Sequence, residues 1–302
     1  MPQLFGSIVE AIKFLGPHNC VLSVVEGRST DGTYEILREL GAYLERMGLR
    51  YLLQTSAIHP QYNEDRIVLL AELRNLALRE IYEHPEQYAP DTTIIFINDV
   101  WICTEDILEL VHQQFHQDAH MTCGMDWTNT TEPGVPRYYD LWVGRSMTGE
   151  SFYSGFFDWQ KGIFWDDEYT IQRWEKFQPV QVFACWNGIV ALTAKPFMDG
   201  KIRFRGLEGY DNKECFQGEP NLLAKDLWYH GYGRIQTLPA ITTAYEYYEY
   251  LNSKRARGSL SDHFGESDMS NVEWKATPPR KVKCRPQWEN DDRWLPWNFE
   301  LH

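Results

Sequence analysis

Residues 24–37, VVEGRSTDGTYEIL, decide how the fold is read. Apolar residues run up to Glu26. A polar turn follows through Gly27, Arg28, Ser29, Thr30, Asp31 and Gly32, and a helical pattern begins behind it. A carboxylate at the carboxyl end of a buried strand, next to a turn and a helix N-terminus, is where open α/β sheets hold small charged ligands. The same residues also suit a plain strand-turn-helix link with an ordinary cap. The rest of the chain has to choose between the two.

Working outward, residues 20–25 (CVLSVV) read as a short buried strand. Over residues 31–47, Ile36, Leu37, Leu40, Leu44 and Met47 recur at helical spacing. Residues 66–81 carry one stripe of Leu69, Leu73, Leu76 and Ala77 and predict a helix. TTIIFI, residues 92–97, is a buried strand that ends at Asn98 and Asp99. Thr104 then caps a helix whose first turn holds Glu105 and Asp106, the favourable charge for that end. AHMTCGM, residues 119–125, is a strand ending at Asp126.

Residues 127–178 are aromatic, glycine-rich and irregular, as in a loop that receives a second substrate. PVQVFACWNGIVALTA, residues 179–194, is a strand pair or one long bent strand. Residues 219–230 form a helix closed by Gly231, and GRIQTL, residues 233–238, a strand. Strands alternate with helices, which predicts a doubly wound, mostly parallel central sheet with helices on both faces. Glu26, Asp99 and Asp126 then gather at the ligand-binding edge of that sheet. The pattern fades after Glu249. The expected division is a catalytic domain over residues 1–250 and an irregular extension over 251–302 packed against it.

Composition narrows the partners. The chain has 302 residues and a net charge of -14, which argues against nucleic acid and against an anionic membrane surface. Its 12 Trp, 17 Tyr and 15 Phe provide flat faces that suit either sugars or a core. The 6 cysteines are scattered without a C-x-x-C pair; an even number permits disulfides without requiring them. No stretch has the length of a membrane span, and residues 4–15 read as an amphipathic helix. His112, His116 and His120 are spaced four apart, but their solvated surroundings argue against a zinc site. Asn129-Thr130-Thr131 is a glycosylation sequon.

Several segments resemble a known pattern in the right order. EGRSTDGTYEIL is similar to the nucleotide-binding segment of GT-A glycosyltransferases. LAELRN (residues 70–75), FINDV (96–100) and GEPNLLAKDLWYHGYGRI (218–235) resemble the motifs that follow it. YDLW (139–142), CWNG (185–188), and Cys215 with Glu219 and KDLW (225–228) resemble, more narrowly, the cryptococcal capsule-associated α-1,3-mannosyltransferases of fungi, glycosyltransferase family 69. The likeness runs from about residue 3 to residue 250.

The resemblance implies a Rossmann-like GT-A fold and transfer of mannose from GDP-mannose to a glycan hydroxyl, α-1,3 and with retention. It implies a divalent cation, Mn2+ or Mg2+, with Asp99 as its ligand and Asn98 beside it. Glu26 would contact the nucleoside, and Arg74 the diphosphate. Glu219 and Asp140 are the catalytic candidates, and Asp126, Trp186 and Asn187 would line the donor site, with Trp228 as a further sugar platform. Ile97 stands where many relatives carry a first acidic ligand, and Tyr245, followed by Glu246, stands where many carry a late histidine. GT-A folds place a strand before their first helix; this chain starts at that helix, so a domain lacking its first strand is expected. The expected location is the secretory pathway, the Golgi lumen, reached through an N-terminal anchor outside this chain; with no anchor it would be cytoplasmic. The rival readings are a transferase using a UDP-sugar and a catalytically silent glycan-binding subunit.

Overall fold

β-Branched and aromatic runs become strands, and leucine stripes become helices, in the order the sequence suggests. The computed structural model describes residues 2–60, 66–130, 132, 134–154, 162–207, 214–215, 217–263, 271–286 and 292–301. The chain opens with α1 (Pro2–Leu15), β1 (Val21–Glu26), α2 (Thr33–Arg46) and β2 (Arg50–Thr55). It continues through α3 (Arg66–Ala77), α4 (Arg79–Glu83), β3 (Thr93–Ile97), α5 (Thr104–His116) and β4 (Met121–Asn129). Then come β5 (Pro136–Tyr138), β6 (Arg145–Ser146), α6 (Glu168–Glu175), β7 (Val180–Ala184), β8 (Ile189–Thr193) and α7 (Lys195–Met198). The last elements are α8 (Glu219–Tyr229), β9 (Ile235–Thr243), α9 (Tyr247–Arg257), β10 (Lys281–Cys284) and β11 (Arg293–Pro296).

The fold is mixed α/β with a central sheet, but the sheet is not mostly parallel. Its 7 strands run β3-β8-β4-β9-β7-β6, with β5 paired to β4. Within it only β4 and β9 are parallel; the other pairs are antiparallel. The alternation of strand and helix that predicts a parallel sheet holds in the first part of the chain, where β1 and β2 pair in parallel around α2. Later the direction changes: β8 runs antiparallel to both β3 and β4, and β7 antiparallel to β9. In the CWNG turn, Asn187 and Gly188 both have positive φ, 61° and 80°. Beyond it the chain moves from β7, on one side of the β4–β9 pair, to β8 on the other. The 179–194 segment is therefore two strands.

Both sheet faces are covered. Ile189 and Ala191 of β8 pack with Ala11, Ile107 and Leu110, under α1 and α5. Val190 and Leu192 turn the other way, to Leu223, Ala224 and Leu227 of α8. A strand buried on both faces reads as a continuous apolar run, as IVAL does.

β1 and β3 differ from these strands. β1 pairs with β2 and β3 with β8, and among the described residues neither has a partner on its other edge. Those open edges flank a cavity of about 1870 Å³. Consecutive residues of both strands, 21–25 and 93–97, line it. Side chains alternate between faces, so a continuous lining means the strand edges themselves are exposed to the cavity. Both strands are accordingly only half-buried, despite apolar sequences.

Two disulfides tie distant parts together: Cys123 to Cys185 across the sheet, and Cys215, ahead of α8, to Cys284 in the β10–β11 hairpin. Cys20 and Cys103 are free. The same hairpin is held by Arg145, whose Nε donates to the Lys283 carbonyl at 2.7 Å. Burial lowers the Arg145 pKa to about 10. Peptide mapping without reduction should recover these two links, with Cys20 and Cys103 alkylated; a link through either would refute the pairing. Cys123→Ala/Cys185→Ala should cost about 2–5 kcal/mol in chemical denaturation, because the sequence separation closed is 62 residues.

Candidate active site

The cavity's polar end lies where β3 ends and α8 begins. Arg74 reaches it from α3. Its Nε donates to Glu219 Oε1 at 2.7 Å, and its guanidinium lies 4.2 Å from the centroid of the Trp186 ring. Phe96 and Phe204 complete the aromatic collar at 5.3 and 5.7 Å. A guanidinium stacks on indole and pairs with a carboxylate at once, which an ammonium cannot do as well. Glu219 is the first residue of α8, behind Gly218 and ahead of Pro220. The helix dipole favours a carboxylate there, and proline is tolerated in the first turn. Arg74 and Glu219, predicted from separate motifs, are thus one buried ion pair.

Asn98 is the hub beside them. Its Oδ1 accepts from Trp186 Nε1 at 3.4 Å and from Arg74 at 3.5 Å, and its Nδ2 donates to the Tyr245 hydroxyl at 3.1 Å. Its amide oxygen already serves protein donors, unlike that of a free metal ligand. Asp99, next along, is exposed and lines the cavity. Among the described residues it makes no side-chain hydrogen bond or ion pair, and no three His, Cys, Asp or Glu side chains gather for a metal. A single free carboxylate suits a cation that takes its other oxygens from phosphates and water, which is common for Mg2+. The residues therefore fit a cation shared with a substrate and do not fit an all-protein cage.

Asp140 also lines the cavity. It receives the Asn187 backbone N–H at 3.4 Å, and burial pushes its pKa up to about 6. Asp126 lies behind it, away from the lining, with one buried oxygen lacking a partner. Burial, then the Asp140 charge, raises the Asp126 pKa well above the usual carboxylate range. The Asp140 backbone N–H donates to the Asp126 carboxyl group, so Asp126 holds the YDLW turn from below. Two carboxyls thus stand side by side at the end of β4 and in the YDLW turn, both with pKa values raised by burial.

Three predicted site residues take structural positions. Asn187 is fully buried: its Oδ1 accepts from Tyr138, and its Nδ2 donates to the Gly124 carbonyl at 2.6 Å. Its side chain holds β4 and presents nothing to a ligand. Glu26 turns back into its own loop and accepts from the Ser29 N–H at 2.7 Å. The Ser29 hydrogen bonds lower its pKa. Val25 and Gly27 on either side line the cavity, whereas Glu26 does not. Trp228 stacks on Phe183 and donates to its carbonyl, which makes it a core residue. Trp186 lines the cavity, but it is buried and carries Arg74 over its ring. His120 is engaged with Arg234, apart from any metal cluster.

Two participants went unread in the sequence. In the sequence Tyr245 reads only as the replacement for a histidine; in the structure its hydroxyl closes the Asn98 network. Tyr139 stacks near it, with ring centroids 5.2 Å apart. The signal available was the adjacency of both tyrosines to acidic residues at strand ends.

Residues 1–226 match the family model described as Cryptococcal mannosyltransferase 1. Over 328 aligned residues the chain is 30% identical to alpha-1,3-mannosyltransferase CMT1 of Cryptococcus neoformans var. neoformans serotype D. That alignment covers 98% of this chain and 69% of the relative. Among solved structures, S. aureus TarS 1–349 superposes with a TM-score of 0.40 at 14% identity, over 85% of this chain and 64% of that one.

Two measurements check this geometry. Arg74→Ala leaves Glu219 buried without its partner, so it should destabilise the protein by about 3–5 kcal/mol; a loss below 1 kcal/mol would mean the pair is solvated. The second concerns pH. Asp126 and Asp140 have folded pKa values above the 3.8 of a free carboxyl, so the stability they contribute is present below about pH 4. It is lost as pH rises through about 6 and beyond. Asp126→Asn removes that loss: its melting temperature should exceed that of the parent at pH 7.5, with the gap narrowing at pH 4.5. A variant less stable at pH 7.5 would show that the Asp126 carboxyl is not held protonated.

Proposed function

The chain belongs to the family described as Cryptococcal mannosyltransferase 1 and is a hexosyltransferase; from that premise we propose that it moves mannose from GDP-mannose to a glycan hydroxyl, in α-1,3 linkage and with retention, on a GT-A-type fold. One observation carries the reading: Asp99, Arg74, Glu219 and Asp140 line a single cavity. Breaking the bond between C1 of the sugar and the diphosphate leaves negative charge on the nucleotide and positive charge on the ring. The chain has a group for each. Arg74 reaches toward Asn98, next to Asp99, where a phosphate oxygen can meet its guanidinium. Glu219, fixed by Arg74, sets negative charge against the sugar ring. Asp140 ionises above about pH 6 and can accept the proton that the acceptor hydroxyl sheds as its oxygen bonds to C1.

Asp99 would hold a Mn2+ or Mg2+ shared with the diphosphate. When bound, such a cation neutralises the leaving group's charge. The remaining protein oxygens are too few to hold it tightly without nucleotide. Two disulfides support an oxidising compartment, the secretory lumen of a fungal cell, as the place of work. Among the described residues no helix is long and apolar enough to cross a membrane.

Labelled mannose transfer from GDP-mannose tests the reading. Asp99→Ala should stay folded and lose about a hundredfold or more in kcat. Unchanged turnover would remove Asp99 from the site. With Mn2+ present, GDP should raise the melting temperature and UDP should not; the reverse would assign a UDP-sugar donor instead.

A further inference from the structure

Two sets of aromatic rings outside the core lie at and beside the cavity, brought near each other where Trp101 bridges Ala244 ahead of Tyr245. Tyr139 and Tyr245 line the cavity mouth with their rings paired. In the second set, Trp101 packs on Tyr247 at 4.8 Å between centroids, and Tyr247 on Tyr248 at 5.6 Å. Tyr139 is 54% exposed, Tyr247 43% and Tyr248 76%. Large exposed aromatic groups in a cluster mark binding surfaces more often than chance.

The second set is built on fixed backbone. The Trp101 N–H donates to the Ala244 carbonyl at 2.8 Å, which ties the segment after Asp99 to the end of β9. α9, which starts at Tyr247, is anchored by three contacts along its length. The Glu249 carboxylate accepts from the Thr128 hydroxyl at 2.5 Å. Lys254 pairs with the buried Asp106 at 2.8 Å. Arg257 lies over the Trp127 and Trp174 rings at 4.1 and 4.4 Å. The helix that carries Tyr247 and Tyr248 is thereby fixed in position before anything binds.

From this we infer that Tyr139, Trp101, Tyr247 and Tyr248 form a ledge that binds the acceptor glycan beyond its reacting sugar. The inference rests on the transferase reading and extends it. A pyranose ring presents C–H groups on its face and hydroxyls at its rim. An exposed tyrosine matches that pattern with a flat apolar ring and a hydroxyl edge. The ledge also has the right direction. Its inner end, Tyr139, adjoins Asp140, and Trp101 follows Asp99 by two residues. A sugar hydroxyl placed at Asp140 would therefore leave the rest of its glycan lying over the rings. Asp99, which would hold the donor's diphosphate, is two residues from Trp101, so the outer rings Tyr247 and Tyr248 are the ones that separate acceptor from donor.

The test compares a linear manno-oligosaccharide with a methyl mannoside as acceptors. Tyr247→Ala/Tyr248→Ala should raise KM for the oligosaccharide by about threefold to tenfold. Its KM for the methyl mannoside and for GDP-mannose should stay within about twofold of the parent, since neither reaches the outer rings. Direct titration of the oligosaccharide, followed by tryptophan fluorescence without donor, separates this claim from the transferase reading. Binding kept by Asp99→Ala and weakened in the double tyrosine variant supports the ledge, whether or not transfer is detected. Transfer by the parent with an unchanged oligosaccharide KM in the double variant overturns the ledge and leaves the transferase reading standing. Absence of oligosaccharide binding to the parent also overturns it.

Discussion

A single guanidinium joins three parts of the chain that are far apart in sequence. Arg74 on α3 meets Glu219 on α8 across a separation of 145 residues, and it lies on Trp186 from the CWNG turn. Asn98, at the end of β3, is drawn into the same cluster by its amide oxygen. Because the pair is buried, each charge needs the other; neither can be removed without stranding its partner. The carboxylate is thereby fixed in place before any substrate arrives, and such preorganisation is what electrostatic catalysis requires. With α8 already seated in the core, this contact fixes the side chains at the cavity's polar end.

Behind that end stands a second electrostatic device. Asp126 and Asp140 are too deeply buried and too near each other for both to ionise cheaply. Backbone N–H groups of Asn187 and Val143 favour charge on Asp140, while Asp126 faces the stronger desolvation and has an orphaned oxygen. The environment divides the labour: the deeper carboxyl holds the turn, and the outer one meets the cavity. Asn187 belongs to this device as structure, since its side chain is spent on Tyr138 and the β4 backbone.

The C-terminal hairpin acts on the site through its fastenings. Cys284 binds the segment just ahead of α8, Arg285 accepts at its carbonyl from Trp142 of the YDLW turn, and Arg145 grips the Lys283 carbonyl. Both catalytic candidates, Asp140 and Glu219, are therefore braced by the same strap. It lies outside the 1–226 match that identifies the family.

By itself, the sequence determined whatever depends on a turn or two of chain. The apolar spacings marked α2 and α3, the Thr104 cap with its acidic first turn marked α5, and the apolar runs ending in Asn98-Asp99 and Asp126 marked β3 and β4, because periodicity, caps and strand termini are local properties. The motif order carried the family, and it brought Arg74, Asp99, Asp140 and Glu219 forward as candidates. What only the tertiary structure decided was strand direction in the second part of the chain, the partner of each cysteine and the fate of each polar side chain. Asn187 and Glu26, expected as ligand contacts, spend their side-chain bonds inside the protein, on Gly124 and Tyr138 and on Ser29, while Tyr245, read in the sequence only as the replacement for a histidine, closes the Asn98 network. Most of these partners lie far along the chain, 62 residues apart for Cys123 and Cys185, 63 for Asn187 and Gly124 and 145 for Arg74 and Glu219, and no local pattern records which of them will arrive.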